Sequence, residues 1–415
     1  MLALRDAQAS KRCGRHVKVW AASSWEGKTT LRSASNTINL QIYPSPLTHE
    51  SRIMRMTAPL LEWSTFERIL IVGMRHHPLP AHEEIDSKRE LLRLGPQYSA
   101  AQNLPRKLYR FIAWYASVFA YFWRAPVGCI NCRSLSALPL CVALKLVTGA
   151  KLIYDAHELE TETPTLFGFR KWLAKVSERL LIRFSDAVIV VGPAIAQWYR
   201  AAYPGMNPKV VRNLPEFPDE PHRTDLFEGL LALPESAVVF LYEGQLCAGR
   251  GIEATLEAFS RAPADRHVVF LGFGPYTNLI KDASDRFSNV HLLPAVPSSE
   301  LRKYTMAGDV GLCLIEPNCL SYTYSLPNKL FEYLGAGLPV IATKLPELLQ
   351  VVDGMGAGWT VSNDADELLH LIRSITRENI QERRERALDW TRHNSWQGER
   401  LVLKSVYEDL GFALG

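Results

Sequence analysis

The sequence predicts two doubly wound α/β domains, each a parallel sheet with helices on both faces. From residue 38 onward, short β-branched and aliphatic runs alternate with helical patterns, which is typical of such sheets. The alternation stops at a proline-rich stretch and then restarts. The length of 415 residues also suits two domains, at about 100–200 residues per domain.

The first domain is predicted over residues 37–213. Its helical patterns have apolar residues at three-to-four spacing, and its strands are short apolar runs. The predicted strands are residues 38–43, 68–73, 127–131, 151–155, 187–191 and 209–212. The predicted helices are residues 52–63, 104–123, 137–148, 167–184 and 193–202.

Residues 214–235 are rich in proline and charge, which is the composition of a linker. The second domain is predicted over residues 236–390, and residues 365–410 show helical patterns. Residues 391–415 are predicted to form a final helix, a candidate to cross back to the first domain. The predicted strands of the second domain are residues 238–242, 268–271, 290–293, 310–314, 340–342 and 359–361.

Residues 1–36 carry seven basic and two acidic side chains with little apolar periodicity, which predicts a disordered basic extension. The charge is also unequal along the rest of the chain. Residues 1–215 hold 29 basic and 15 acidic side chains, net +14, whereas residues 216–415 hold 18 and 28, net −10. This difference predicts an anionic partner for the first half, namely a membrane surface, a phosphorylated substrate or nucleic acid. No nucleic-acid recognition motif is present, so no nucleic-acid partner is expected.

The seven cysteines show no spacing typical of a disulfide framework, which predicts reduced thiols and a cytoplasmic protein. Cys129 and Cys132 form a CxxC pair without a second pair, so buried small side chains are favoured over a zinc site. No segment resembles a signal peptide. The longest apolar stretch, residues 111–123, has 13 residues, short of the roughly 20 that a membrane-spanning helix needs.

A glycine-containing loop, residues 242–251, follows a predicted strand and leads into a predicted helix. Backbone N–H groups and the positive end of the helix then face one point, which suits a phosphate. Arg250 strengthens this interpretation because a guanidinium can bind two phosphate oxygens at once. The alternative is that Arg250 is a surface charge.

Gly272 and Gly274 end the next predicted strand. Two glycines there would let a flat base approach the backbone at the carboxyl ends of the strands. Taken alone, the segment is equally consistent with a plain turn.

Residues 325–343 contain the strongest motif. Pro327 suits a first helical position, so Asn328 and Lys329 would present N–H groups and a cation at a helix N-terminus. Glu332 lies one turn further on, where a carboxylate can accept both hydroxyls of a ribose. The alternative is a simple helical ion pair between Glu332 and Lys329, worth only about 0.2–0.5 kcal/mol.

This motif, the loop at residues 244–251 and the run Tyr154-Asp-Ala-His-Glu158 together resemble the retaining nucleotide-sugar glycosyltransferases of family 4, also called group 1. The resemblance covers residues 38–410. It implies the GT-B fold, in which two Rossmann-like domains face each other across a cleft. It also implies transfer of a hexose-type sugar from a nucleotide diphosphate sugar. The basic, aromatic first half of the chain favours a glycan or lipid-linked acceptor, in cell-surface polysaccharide synthesis.

The resemblance also assigns roles to individual residues. It implies that Arg250 and Lys329 neutralise the donor diphosphate, that Glu332 holds the ribose, and that His157 lies beside the transferred sugar. Without it, His157 is equally well a hydrogen-bonded buried histidine. The other expected substrate-binding positions are Gly244, Gln245, Gly251, Gly272, Gly274, Tyr324 and Asn328.

No cofactor and no dedicated metal are expected, because fixed cations and helix ends can stabilise the leaving diphosphate. Asp364 and Asp366 imitate a metal-binding Asp-x-Asp motif, but their position at a predicted helix start favours capping.

The sequence departs from the family pattern at two positions. Tyr324 stands where many members have the first of two glutamates, and Gln245 stands where many have an arginine after the first glycine. These departures support an alternative function, a catalytically inactive glycosyltransferase-like subunit that binds a partner.

The acceptor side is assigned to the basic first half. Residues 104–123 combine Arg106, Lys107 and Arg110 with eight aromatic side chains, which suits a helix lying in the lipid headgroup layer. A core helix with a basic first turn explains the pattern equally well. The charge difference favours contact with an anionic membrane, which would place the protein at the inner face of the plasma membrane.

Overall fold

The computed structural model describes residues 38–48, 50–98, 103–217 and 221–415. The predicted basic extension, residues 1–36, lies outside the described residues, as does Cys13. Contacts divide the chain into two compact units. The first unit ends at Ile153 and also includes Gly415, and the second comprises Tyr154–Leu414.

The first unit contains five described strands and three α-helices. The strands are β1 (Ile38–Ile42), β2 (Arg68–His76), β3 (His82–Glu84), β4 (Arg89–Tyr98) and β5 (Val127–Cys132). The helices are α1 (Ser51–Glu62), α2 (Leu104–Phe122) and α3 (Leu138–Thr148), with a 3-10 turn at Leu135–Ala137.

The strands of the first unit lie in the order β3-β4-β2-β1-β5. β1 pairs in parallel with β2 and β5, and β2 pairs in parallel with β4, as predicted for a doubly wound sheet. β3 is antiparallel to β4. The sequence analysis missed both β3 and β4, because their mixed polar residues do not form the apolar runs on which strand prediction depends.

The second unit begins within β6. Its first elements are β6 (Lys151–Ala156), α4 (Gly168–Leu181), β7 (Ala187–Val190), α5 (Pro193–Ala202) and β8 (Lys209–Val210), with 3-10 turns at Glu160–Glu162 and Ile182–Phe184. β6, β7 and β8 are adjacent in that order.

The later elements of the second unit again alternate strands and helices. The strands are β9 (Val238–Gln245), β10 (Arg266–Phe273), β11 (Val290–Pro294), β12 (Val310–Cys313), β13 (Val340–Thr343) and β14 (Gly358–Val361). The helices are α6 (Leu226–Leu231), α7 (Ile252–Phe259), α8 (Thr277–Ser284), α9 (Ser298–Thr305), α10 (Leu320–Thr323), α11 (Asn328–Gly335), α12 (Pro346–Leu348), α13 (Ala365–Ser374), α14 (Arg377–His393) and α15 (Trp396–Asp409), with a π-helical turn at Leu349–Asp353.

The strands β9–β14 form a parallel sheet in the order β11-β10-β9-β12-β13-β14. Alternate residues of β9 enter two hydrophobic cores: Val239 and Leu241 lie in one, Val238 and Phe240 in the other. Both faces of the sheet are therefore covered, as the prediction of a doubly wound domain requires. The strand order reverses between β9 and β12, so their carboxyl ends open a crevice suited to ligands.

The last helix, α15, contacts the segment after β8. The buried carboxylate of Glu399 accepts hydrogen bonds from the backbone N–H and the Nε of Arg212, at 2.6 and 2.8 Å. Lys209 and Asp409 add an ion pair at 3.3 Å. None of the described helices has both the length and the hydropathy of a membrane span.

Candidate functional site

The loop between β9 and α7 depends on glycine at two positions. Gly244 has φ 117° and Gly251, the N-cap of α7, has φ 67°, values that side chains disfavour. A Cβ at Gly251 would also lie 2.4 Å from the Cβ of Leu314. The loop therefore requires glycine at Gly244 and at Gly251, where it enters α7, and phosphate binding by its backbone N–H groups stays a prediction.

Gly272 and Gly274 allow β10 to approach this loop. Gly272 lies directly opposite Gly244 in the sheet, and a Cβ on Gly272 would lie 1.9 Å from the carbonyl oxygen of Gly244. A Cβ on Gly274 would lie 2.2 Å from the carbonyl oxygen of Leu246. Close backbone approach thus explains both glycines, and their contact with a base stays a prediction.

Arg250 is a partly buried side chain at the end of the loop. Its guanidinium carbon lies 4.7 Å from the ring centre of Tyr322, a residue of α10. Stacking on an aromatic face limits the rotamers of a guanidinium while leaving its N–H groups able to bind an anion.

Lys329 is the second cation of the site, in the first turn of α11. Its Nζ lies 3.7 Å from the ring centre of Tyr242, and a Cβ on Gly244 would lie 4.0 Å from that Nζ. The pKa of Lys329 is lowered to about 8, chiefly by burial and also by the charge of Arg250, against the opposing influence of Cys313 and neighbouring carboxylates. The charge of Arg250 acts on Lys329, so the two cations of the site lie near one another.

Glu332 lies beside a carboxylate that the sequence analysis did not identify. Glu243, at the end of β9, is buried, and its Oε2 accepts a hydrogen bond of 2.9 Å from the hydroxyl of Thr305. Burial raises the pKa of Glu243 well above its usual range, and the nearby carboxylate of Glu332 raises it further. The position of a carboxylate directly after the apolar run of residues 238–242 was the available sequence signal for Glu243.

The helix α11 begins at Asn328, and Pro327 is its N-cap. The sequence analysis expected Pro327 to be the first helical residue, so the helix starts one residue later than predicted. The side-chain oxygen of Asn328 accepts a hydrogen bond of 2.7 Å from the side-chain nitrogen of Asn213. The N-terminal turn of α11 thus carries both a positive helix end and Lys329, an arrangement that favours anions.

The two positions that depart from the family pattern lie at element ends. Gln245 is exposed at the end of β9, and its carbonyl oxygen accepts a hydrogen bond of 2.9 Å from the hydroxyl of Tyr242. Tyr324 is partly buried and is the C-cap of α10. Neither side chain can supply the charge found at that position in many members of the family.

His157 follows β6 directly and is partly buried. The 3-10 turn Glu160–Glu162, three residues further on, contacts α10. α10 in turn carries Tyr322, against which Arg250 stacks. The structure therefore brings Arg250, Lys329, Glu332 and Gly244 into one cluster and connects the segment of His157 to that cluster through α10.

Asp364 caps α13, because its carboxylate accepts hydrogen bonds from the backbone N–H groups of Asp366 and Glu367. This confirms the capping role predicted for the Asp-x-Asp imitation. Cys129 and Cys132 are buried free thiols, as predicted. Across the part of the chain that the structure describes, no group of three or more His, Cys, Asp or Glu side chains could hold a metal ion.

Two family models match the chain. Residues 3–214 match the model described as glycosyl transferase 4-like domain, and residues 237–378 match the model described as glycosyl transferases group 1. The chain belongs to the group 1 glycosyltransferases. The first match begins before residue 38, where the resemblance noted above starts. A comparison with curated proteins gives no significant sequence match.

Solved glycosyltransferase structures share the fold of the chain. Sucrose-phosphate synthase from Thermosynechococcus elongatus is 17% identical, with a TM-score of 0.74, over 90% of this chain and 99% of that one. Anabaena HepE in complex with UDP-glucose is 15% identical, with a TM-score of 0.64, over 90% and 99%. WaaG, a glycosyltransferase involved in lipopolysaccharide biosynthesis, is 12% identical, with a TM-score of 0.63, over 88% and 99%.

These similarities confirm the predicted fold class, two Rossmann-like domains of the GT-B type. At these identities they concern the fold alone. The roles of individual residues in this glycosyltransferase therefore depend on the geometry of its own site.

Proposed function

We propose that this glycosyltransferase is a retaining enzyme that moves a sugar from a nucleotide diphosphate sugar to a glycan or lipid-linked acceptor, in cell-surface polysaccharide synthesis. The observation that carries the proposal is the pair of cations, Arg250 and Lys329, beside a glycine loop and two helix N-termini. Both cations are partly buried and stacked on tyrosines, so they are already oriented before a ligand binds.

The donor class follows from the charges of the site. The two cations and the two helix N-termini would stabilise the negative charge of a bound diphosphate. Glu332 lies one turn beyond Lys329, where its carboxylate would accept the ribose hydroxyls. HepE, which shares this fold, has been crystallised with UDP-glucose, and this supports a nucleotide sugar as the donor.

The same groups explain how the bond is broken. When the bond between the sugar and the diphosphate breaks, negative charge develops on the leaving phosphate oxygen, and Arg250 and Lys329 stabilise it. These fixed cations supply the positive charge that the step needs, so we propose chemistry without a cofactor or metal. In a retaining reaction the acceptor hydroxyl attacks from the face that the diphosphate leaves. His157 would contact the transferred sugar.

The acceptor is proposed to be lipid-linked or a growing glycan at the inner face of the plasma membrane. The first half of α2 supports contact with an anionic membrane, because Leu108, Tyr109 and Ile112 are exposed next to basic side chains. The second half of α2 fits the alternative interpretation, a core helix, because Trp114 and Phe122 are buried. The role of WaaG in lipopolysaccharide biosynthesis also supports a cell-surface product.

The alternative is an inactive binding subunit, favoured by Tyr324 and Gln245 in place of charged residues. It predicts donor binding without turnover. The two functions differ in one measurable quantity, the release of nucleoside diphosphate.

The test uses the purified chain with a panel of nucleotide sugars. Binding is measured by thermal shift, because a ligand of the folded state raises the melting temperature. Donor hydrolysis or transfer is then measured with and without a chelator, and NMR of the product gives its anomeric configuration. We expect turnover that is insensitive to chelator and a retained anomer. Binding without turnover would favour the inactive subunit, and an inverted product would contradict the mechanism.

A further inference from the structure

Helix α4 carries an apolar stripe that faces solvent. Apolar side chains recur along it at the three-to-four spacing of one helix face, namely Phe169, Trp172, Leu173, Val176 and Leu180. Such a stripe ordinarily packs against the core. Here the exposed fractions are 72% for Phe169, 57% for Trp172, 52% for Leu173 and 49% for Leu180.

The opposite face of α4 is held by polar contacts. Glu178, the buried residue of the helix, lies about half a helical turn from the middle of the stripe. Its carboxylate accepts hydrogen bonds from the hydroxyls of Tyr154, Tyr199 and Tyr203, at 3.0, 2.7 and 2.6 Å. These three bonds fix the rotation of α4 about its axis. The stripe is therefore exposed because of the packing of the helix, and a small side-chain movement would not bury it.

Basic side chains border the stripe. Arg170 and Arg179 are exposed, and Lys171 and Lys175 pair with the buried carboxylate of Glu162 at 2.7 and 2.6 Å. Glu178 is the only acidic residue of α4, and it is buried. The exposed surface of the helix therefore combines apolar and aromatic groups with positive charge alone.

We infer that the stripe on α4, bordered by Arg170 and Arg179, is a docking surface for an anionic phospholipid bilayer. Tryptophan and phenylalanine favour the boundary between headgroups and acyl chains, and basic side chains at the edge of the stripe bind the anionic headgroups. The rings of Phe169 and Trp172 stack with centres 5.5 Å apart, so they would enter the bilayer as one unit.

Docking through α4 would place the candidate site near the membrane surface. Glu162, which binds Lys171 and Lys175, belongs to the 3-10 turn that contacts α10, and α10 carries the Tyr322 on which Arg250 stacks. This consequence rests on the proposed function, because a site near the membrane is useful only if the acceptor is lipid-linked. The docking itself is independent of it, since vesicle binding is measured without turnover.

The experiment measures flotation of the full chain with phosphatidylcholine vesicles, with and without about one third phosphatidylglycerol. The double variant Phe169→Ser/Trp172→Ser removes the aromatic pair. The matched control, Leu146→Ser/Val147→Ser, removes two comparably exposed side chains, 67% and 51%, from α3, a helix that carries no proposed membrane contact. A third variant, Arg170→Gln/Arg179→Gln, removes charge alone. Thermal melting checks that every variant is folded, and thermal shift with nucleotide sugars is measured in parallel.

We expect the wild type to bind the anionic vesicles more tightly than the neutral ones. Phe169→Ser/Trp172→Ser should weaken binding at least about tenfold, and the charge variant by about fivefold per residue, at low salt. The α3 control should weaken it less. The inference is overturned if the wild type does not bind anionic vesicles. It is also overturned if the Phe169→Ser/Trp172→Ser variant binds them as tightly as the wild type does. A wild-type dimer that the same variant converts to monomer overturns it too, because a second copy would then cover the stripe. If nucleotide sugars give no thermal shift with the wild type, the proposed function is contradicted, and the vesicle-binding result still stands.

Discussion

The ammonium group of Lys329 lies 3.7 Å from the centre of the Tyr242 ring. Tyr242 belongs to β9 and Lys329 to the first turn of α11. The contact therefore joins α11 to the strand that precedes the glycine loop. An ammonium over an aromatic ring keeps its charge while it loses water, at a gain of about 0.5–2 kcal/mol. The cation is thereby held ready for an anionic ligand.

Lys329 should make donor binding depend on pH. In the ligand-free protein its pKa is lowered to about 8, chiefly by burial. A bound diphosphate favours the charged form and raises that pKa, so the complex takes up a proton as it forms. Affinity should therefore be constant below about pH 8 and fall by up to about tenfold per pH unit above it. Titration calorimetry in buffers of different ionisation enthalpy measures both the affinity and the proton uptake.

The matched control is Lys329→Arg, because a guanidinium stays protonated throughout this range. Its affinity profile should be flat above the pH at which the wild type declines. An identical decline in both proteins would assign the pH dependence to another group.

Arg250 should contribute to affinity through paired hydrogen bonds to the diphosphate. Removing a charged hydrogen-bond donor costs about 1.5–3 kcal/mol, so Arg250→Ala should weaken binding of a nucleoside diphosphate by about 10–100-fold. Arg250→Lys should restore only part of it, since an ammonium cannot bind two oxygens in the same fixed geometry. Tyr322→Phe retains the ring under Arg250 and serves as the control, with wild-type affinity expected.

Glu243 should reduce the stability of the protein at neutral pH. Its pKa in the folded state is raised above 4.5, first by burial and then by Glu332, so the folded protein holds a proton that the unfolded chain releases. The stability due to this group is present below pH 4.5 and is lost as pH rises toward the folded pKa. Glu243→Gln keeps the shape and cannot ionise. It should raise the free energy of unfolding near pH 7 by on the order of 1 kcal/mol.

Urea denaturation of the wild type and Glu243→Gln at about pH 5 and about pH 7.5 tests this expectation. The advantage of the variant should grow with pH. A variant that is less stable than the wild type at both values would show that the ionised carboxylate stabilises the fold.

Gly272 should tolerate no side chain. A Cβ there would lie 1.9 Å from the carbonyl oxygen of Gly244, so Gly272→Ala must separate the ends of β9 and β10. We expect a loss of about 1–3 kcal/mol in stability, together with weaker nucleotide binding because the loop moves. Gly229→Ala is the control, since a Cβ at Gly229 meets no atom within 4 Å. Equal melting temperatures for both variants would contradict the close approach.

The sequence predicted those parts of the fold that depend on local pattern. The apolar runs of β9 and β10, and the helical start after Pro327, can be recognised from neighbouring residues alone. β4 could not be recognised in this way, because it contains Arg93, which is buried. The guanidinium of Arg93 can be buried because it donates hydrogen bonds to carbonyl oxygens of other segments, those of Pro46 and Pro80. The helix α4 was predicted correctly, but its rotation depends on the contact of Glu178 with three distant tyrosines.

The candidate site shows the same division. Arg250, Lys329 and Glu332 were predicted from their positions in motifs. Their partners Tyr322 and Glu243 are side chains of other elements, and the topology of the sheet brings them close. Spacing along the chain carries no signal for such contacts. The roles of the site residues in binding and catalysis stay predictions until they are measured.

The most direct test compares a nucleoside diphosphate with its nucleoside by titration calorimetry, using the base that binds best in a panel. The difference between the two affinities isolates the contribution of the diphosphate. We expect Arg250→Ala and Lys329→Met to reduce that difference by at least about tenfold each, and Glu332→Ala to weaken both ligands equally. A difference that is unchanged in Arg250→Ala and Lys329→Met would contradict the assignment of these two cations to the diphosphate.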